Sequence, residues 1–189
     1  MRAAACLSPA LIAAADERRL KRGVRLFAAG DPIEFLFVVV RGRMALVRHD
    51  PDGRAATLET AEAGDLFAFA SLFADAYHCD GIALDAAVVR AVPRERVRAA
   101  FALDGGTALA ALRAAAQEVR RLRALLAIRN RRGAGDRLRD YLAAAGPTDA
   151  PLARIAAEIG VTPEALYRTV AKLVRAGKIR RKGRTLSLP

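Results

Sequence analysis

The chain is poor in the residues that metal and redox centres consume. Its 189 residues include two cysteines, Cys6 and Cys79, and two histidines, His49 and His78. Two cysteines make no disulfide framework, and they cannot supply the usual four thiolates of an iron–sulfur cluster. A catalytic metal needs His and carboxylate ligands gathered together; two histidines are poor material for that, so the chain reads as a non-enzyme. No uninterrupted apolar run is long enough to span a bilayer. The alanine-rich start, with only Arg2 before Ser8-Pro9, makes a weak signal peptide. A cytoplasmic protein with no membrane partner is expected, and no internal repeat is visible.

Positive charge is abundant and uneven. The formal net charge is +12, with 53% hydrophobic residues, enough for the cores of two modest domains. Residues 1–103 carry 14 Lys/Arg against 13 Asp/Glu, and residues 104–189 carry 18 against 7. Nearly all the excess therefore lies in the second half, as an electrostatic footprint for phosphate requires.

Leu152 to Leu188 is the most informative stretch. Leu152, Ile155, Ala156 and Ile159 fall on one helical face, and Gly160 ends that helix. Thr162-Pro163-Glu164 starts the next: a cap, a proline at the first helical position and a carboxylate at the positive end of the dipole. Leu166, Val170, Leu173 and Val174 make its apolar face. Glu164, Tyr167, Arg168, Ala171, Lys172 and Arg175 remain outside. Lys178 to Leu188 follows as a hairpin with cationic arms, Arg180, Lys182 and Arg184 among them, around Gly183. Either half alone also suits an αα-hairpin with a solvated charged face. The cap, the basic face and the adjoining wing together favour a winged helix-turn-helix that binds double-stranded DNA.

Upstream, Ser8-Pro9 predicts a helix running to Gly23, with Arg18, Arg19, Lys21 and Arg22 at its negative end. Val24 to Phe27, Phe35 to Val40, Arg43 to His49 and Arg54 to Thr60 are β-prone runs. Ala29-Gly30-Asp31-Pro32, Arg41-Gly42 and Asp50-Pro51-Asp52-Gly53 separate them with turn chemistry, and Gly81 to Val92 adds more apolar sequence. Closely spaced strands with such turns predict an antiparallel, jelly-roll-like β-roll, so the fold class is α+β. Gly64 to Phe73 interrupts the roll with a glycine turn and a short apolar helix, a place to hold a ligand.

Pro93 opens a helix through Phe101, and Asp104-Gly105-Gly106 breaks it. Thr107 to about Arg131 forms the longest helix, about 37 Å at 1.5 Å per residue. Leu109, Leu112, Ala116, Val119, Leu122 and Leu126 form a seam of coiled-coil type along it. Such a seam either packs on the roll or meets a symmetric partner. A helix-turn-helix reading two half-sites one turn apart, a palindromic operator, favours the partner. Gly133-Ala134-Gly135 marks a hinge, Asp136 to Ala145 is another helix, and residues 146–151 link it to the DNA-reading helices. The expected organisation is a sensor roll over 1–103, a dimerisation helix over 104–132 and a DNA-binding domain over 133–189.

This order resembles the Crp/Fnr family of bacterial transcription regulators, most specifically in GDLFAFASLF at 64–73 and GVTPEALYRTVAKL at 160–173. The resemblance implies a homodimer with a cyclic-nucleotide-binding-like roll, a long dimer helix and a DNA-reading C-terminal domain, with RNA polymerase as a further expected partner. It also implies that Glu164 and Arg168 contact base edges; a carboxylate accepts from cytosine N4 and a guanidinium grips guanine O6 and N7. One branch of the family has serine just before the arginine, where this chain has Tyr167.

The ligand site departs from the pattern. The resemblance places a ribose-binding glutamate where Phe69 or Ala70 stands, near Ser71, and a phosphate-binding arginine-serine pair in the region of Tyr77, His78, Cys79 and Asp80. A cyclic phosphate needs a fixed positive charge or several N–H donors. These side chains do not supply the charge, which argues against cyclic AMP. Three readings stay open for the region: a loop with Cys79 as a small buried apolar residue, a metal or haem site using His78 and Cys79, or a redox thiol at Cys79, alone or with Cys6.

Overall fold

The computed structural model describes residues 6–50, 52–53 and 55–189. Arg2, the Pro51 of the third turn and the Arg54 that opens the fourth run lie outside them. The chain divides into two compact units, residues 1–116 and 117–189, and the divide falls within a single long helix.

The first unit is the antiparallel roll. Its strands are β1 (Asp16–Leu20), β2 (Arg25–Phe27), β3 (Phe35–Arg41), β4 (Met44–His49), β5 (Ala55–Ala61), β6 (Leu66–Phe67), β7 (Asp80–Ala83) and β8 (Ala87–Pro93). They form two four-stranded sheets, ordered β1-β8-β3-β6 and β2-β7-β4-β5. Leu36, Phe37, Met44, Leu66, Phe67 and Leu72, each under 2% exposed, fill the interior. Burying each such side chain contributes about 1.5–3 kcal/mol. The continuous apolar run of β3 has its reason here: Leu36 to Val39 are buried in succession, so both faces of the strand are covered.

The predicted N-terminal helix is corrected. Only α1 (Pro9–Ala13) is helical, with Ser8 Oγ accepting from the Leu11 N–H (3.2 Å). The chain then turns into β1, which pairs antiparallel with β8 from Asp16↔Ala91 to Leu20↔Ala87. The basic residues that read as a helix terminus are strand and turn residues instead. The Arg18 guanidinium lies over the Phe35 ring, 4.7 Å from its centroid, and Glu17 is shared by Arg19 (2.6 Å) and Arg90 (3.1 Å). Pairing with a distant strand has overridden a local helical preference.

Next come α2 (Arg94–Leu103) and α3 (Gly105–Arg129). Asp104 alone makes the break between them, its carboxylate accepting from the Gly106 N–H (2.9 Å) and the Thr107 hydroxyl (2.5 Å). Ala111 belongs to the core of the first unit and Ile128 to that of the second. Every residue of the predicted seam is exposed, Ala116 included, and Leu109, Leu112, Val119, Leu122 and Leu126 are 46–65% exposed.

The second unit adds α4 (Ala134–Ala145), α5 (Leu152–Ile159), α6 (Pro163–Arg175), β9 (Arg180–Lys182) and β10 (Thr185–Ser187). Leu138, Leu142, Ile155, Ile159, Leu166, Ile179 and Leu186 close its core. Val174, expected on the apolar face of α6, is 37% exposed and sits at that face's edge.

Candidate nucleic-acid interface

The geometry of α6 follows from its first residues. Thr162 is extended and its Oγ1 accepts from the Ala165 N–H (3.2 Å), Pro163 sits in the first turn, and Glu164 is the acidic residue there. Gly160 adopts positive φ (69°), the left-handed conformation that lets one helix stop and the chain turn into the next. With Leu166, Val170 and Leu173 buried, the helical period points the other residues outward. Thr162, Pro163, Glu164, Tyr167, Arg168, Lys172 and Arg175 are all exposed, Tyr167 at 57%.

The wing is anchored rather than free. Its strands pair as Thr185↔Lys182, Leu186↔Arg181 and Ser187↔Arg180. Leu186 is buried and exchanges backbone hydrogen bonds with Thr148, 2.8 and 2.9 Å, which ties the hairpin to the segment before α5. Gly183 at positive φ (59°) suits the first position of a two-residue hairpin turn. Arg180, Arg181, Lys182 and Arg184 are exposed around that turn. One exposed helix face and one exposed hairpin thus present a carboxylate, a phenol and a group of cations on the same unit.

Two further arginines, neither singled out in the sequence, act on the turn before α6. Arg129 donates to the carbonyls of Ala157 (2.8 Å) and Glu158 (2.9 Å). Arg137 donates to those of Gly160 (2.8 Å) and Ile159 (3.3 Å). The Glu158 side chain meets Arg154 (3.4 Å) and Arg121 (3.7 Å) and bonds the buried Tyr141, whose phenol burial pushes up to about 12.

The sensor candidates of the first unit lie differently. Phe69 and Ser71 belong to a 3₁₀ turn, Phe69–Phe73, entered through Ala68 in the left-handed region (φ 63°). Phe69 packs edge-on against Phe101, and Ser71 is 2% exposed. Tyr77 is stacked on Phe27, ring centroids 3.9 Å apart, and donates to the Phe35 carbonyl; burial pushes its phenol up to about 12. A Cβ on Gly81 would overlap that Phe27 ring, which explains glycine there. His78 is exposed and Cys79 buried, in the bend that leads into β7. Cys6 is buried in the same core as Cys79, and burial raises both thiols above their ordinary value. The buried Asp80 accepts from the Ala29 N–H (2.7 Å) and faces His49 Nδ1 (3.6 Å) and Arg25 (3.7 Å). Among the described residues no group of three or more His, Cys, Asp or Glu side chains is gathered to hold a metal ion.

A roll of this topology followed by a winged helix-turn-helix defines a class of regulatory protein, and the comparisons give it a family. Residues 17–104 match the cyclic nucleotide-binding domain. FixK2 from Bradyrhizobium japonicum has the same fold with a TM-score of 0.71, at 22% identity over 92% of each chain. A CRP-family transcriptional regulator from Thermus thermophilus gives 0.61 at 23% identity, over 90% of this chain and 91% of that one. The N-terminal domain of a transcriptional regulator from Streptomyces coelicolor is 30% identical, with a TM-score of 0.51, over 64% of this chain and 87% of that one. Comparison with curated proteins by sequence gives no match. The chain belongs to the Crp/Fnr family of transcription regulators.

Proposed function

We propose that the protein is a homodimeric, sequence-specific DNA-binding transcription regulator whose roll does not answer to cyclic AMP. The observation that carries this is the exposed face of α6 beside the cationic hairpin. Glu164 and Arg168 are four residues apart on that face, one helical turn, so both reach into one major groove. Tyr167, Thr162 and Pro163 border them, and Lys172, Arg180, Lys182 and Arg184 take phosphates. Residues 104–132 supply the dimer contact through the exposed Leu109, Leu112, Ala116, Val119, Leu122 and Leu126. Residues 133–189 read the operator and residues 1–103 form the regulatory roll, with RNA polymerase the further partner of the bound dimer.

Asp80 supports the argument against a cyclic nucleotide. A buried carboxylate in the region that the family resemblance gives to phosphate already engages the nearby Arg25, so that cation is not free for a phosphate. The burial of Cys79 and Cys6 favours a second reading over thiol sensing: the roll acts as a ligand-independent dimer scaffold, since a thiol held protonated in a core is a poor nucleophile and a poor ligand. Selecting duplexes from a random pool with the purified protein tests the DNA reading. A palindromic consensus bound by two protomers is expected, and binding without sequence preference overturns it. Measuring affinity for that consensus with and without oxidant, zinc or chelator separates scaffold from sensor. Unchanged affinity is expected, and a change under any of these restores sensing.

A further inference from the structure

A helix leaves its last four carbonyls without partners in its own ladder. For α5 those belong to Ala156, Ala157, Glu158 and Ile159. The left-handed turn at Gly160 settles the first, since the Gly160 and Val161 N–H groups both donate to the Ala156 carbonyl. The other three, and Gly160's own carbonyl, are met by arginine side chains. Arg129, the last residue of α3, takes Ala157 and Glu158 with two different nitrogens, Nη2 and Nε. Arg137 of α4 takes Ile159 and Gly160 through Nη1, while its Nε donates to the Arg131 carbonyl (3.0 Å) between α3 and α4. The aliphatic stem of Arg129 also lies against Gly160, where an added Cβ would meet its Cγ at 3.4 Å. A positive charge at the negative end of a helix is itself favourable.

We infer that Arg129 and Arg137 are positioning residues for base reading: a two-arginine clasp that fastens the turn between α5 and α6 and so fixes the angle at which α6 is presented. The inference rests on the reading of α6 as the DNA-recognition helix. Neither arginine needs to touch DNA. The planar fork of Arg129 meets two successive carbonyls from two nitrogens held at fixed separation, whereas a lysine offers its three donors from one nitrogen on a flexible stem.

The test uses the full chain with Arg129→Lys, Arg129→Ala and Arg137→Lys, a duplex selected from a random pool and a scrambled duplex of equal length. The lysine variants keep the charge and guard against loss of folding in the alanine variant. Affinity of Arg129→Lys for the selected duplex is expected to fall about tenfold, through loss of hydrogen bonds to a charged donor. On the scrambled duplex, affinity and its salt dependence stay as in the parent, because no phosphate contact has been removed. Amide hydrogen exchange at Gly160 and Val161 rises in the same variant. Equal loss on both duplexes, a smaller salt slope, or unchanged specific affinity overturns the inference. Should the parent itself show no preference for any duplex, the DNA reading fails, and exchange alone decides the clasp: faster exchange retains it, unchanged exchange overturns it.

Discussion

The two units treat their candidate functional residues in opposite ways. In residues 117–189 the side chains with chemistry to offer face outward: Arg168, Lys172, Arg180, Lys182 and Arg184 are all exposed, on a scaffold closed by Leu166, Val170 and Leu186. In residues 1–116 most of them face inward. Ser71, Tyr77, Cys79 and Asp80 are buried, each within 2–8% exposure, and Tyr77 and Asp80 are already bonded to the roll itself. A surface that reads a polyanion must remain open to water until the polymer arrives. A buried polar group, by contrast, must be satisfied inside the fold, and what satisfies it competes with any ligand. Polar side chains are thus left open to solvent in one unit and built into the architecture in the other.

The comparison breaks hardest along α3, whose exposed seam runs through both units. Leu112→Glu combined with Leu122→Glu should remove about 1.5–3 kcal/mol of burial at each position on each protomer of a symmetric pair. Sedimentation is expected to show monomers and operator binding to collapse; an unaltered dimer would move the self-contact elsewhere. Arg168→Ala should cost about 1–3 kcal/mol, confined to one base pair of the operator. Equal loss on operator and random duplex would make that guanidinium a phosphate contact.

Cys79→Ser sharpens the inward half. Placing a hydroxyl in that core should cost about 1–3 kcal/mol of stability, with operator affinity per folded molecule unchanged. The wild-type pH profile carries the same point. The native state holds the Cys79 and Cys6 protons more tightly than the unfolded chain does. Their contribution is therefore intact below the ordinary thiol range and is lost as pH rises above it, seen as a falling melting temperature that Cys79→Ala attenuates. The smallest effect is expected at the wing, where Lys182→Ala should lower the salt slope of DNA binding by about one without altering sequence preference.

Legibility followed the range of the interactions. Thr162, Pro163 and the apolar positions of α6 announce themselves because caps and periodicity act over one helical turn, and the wing is a hairpin closed by its own glycine. The roll's turns were equally local. Asp16 to Leu20 was misread because nothing within five residues shows that Ala87 to Ala91 lies alongside. The Arg129–Arg137 clasp was missed for the same reason: an arginine that satisfies carbonyls 22 to 29 residues away looks, in sequence, like any other charge on a basic helix. His78 and Cys79 are adjacent in sequence, and only the fold shows that one faces water while the other enters the roll's core.

The position of the divide within α3 bears on how the molecule is to be dissected. A sensor fragment ended at residue 103 would leave out Ala111 and Ala114, which pack into the roll's interior, exposing an apolar surface that the intact chain keeps dry. A DNA-binding fragment begun at residue 133 would discard Leu125 and Ile128 from its own core and, with Arg129, half of the fastening on the turn before α6. Fragments that each keep their share of the helix, cut between residues 116 and 117, respect both interiors; pieces trimmed to the functional borders would report on damaged halves.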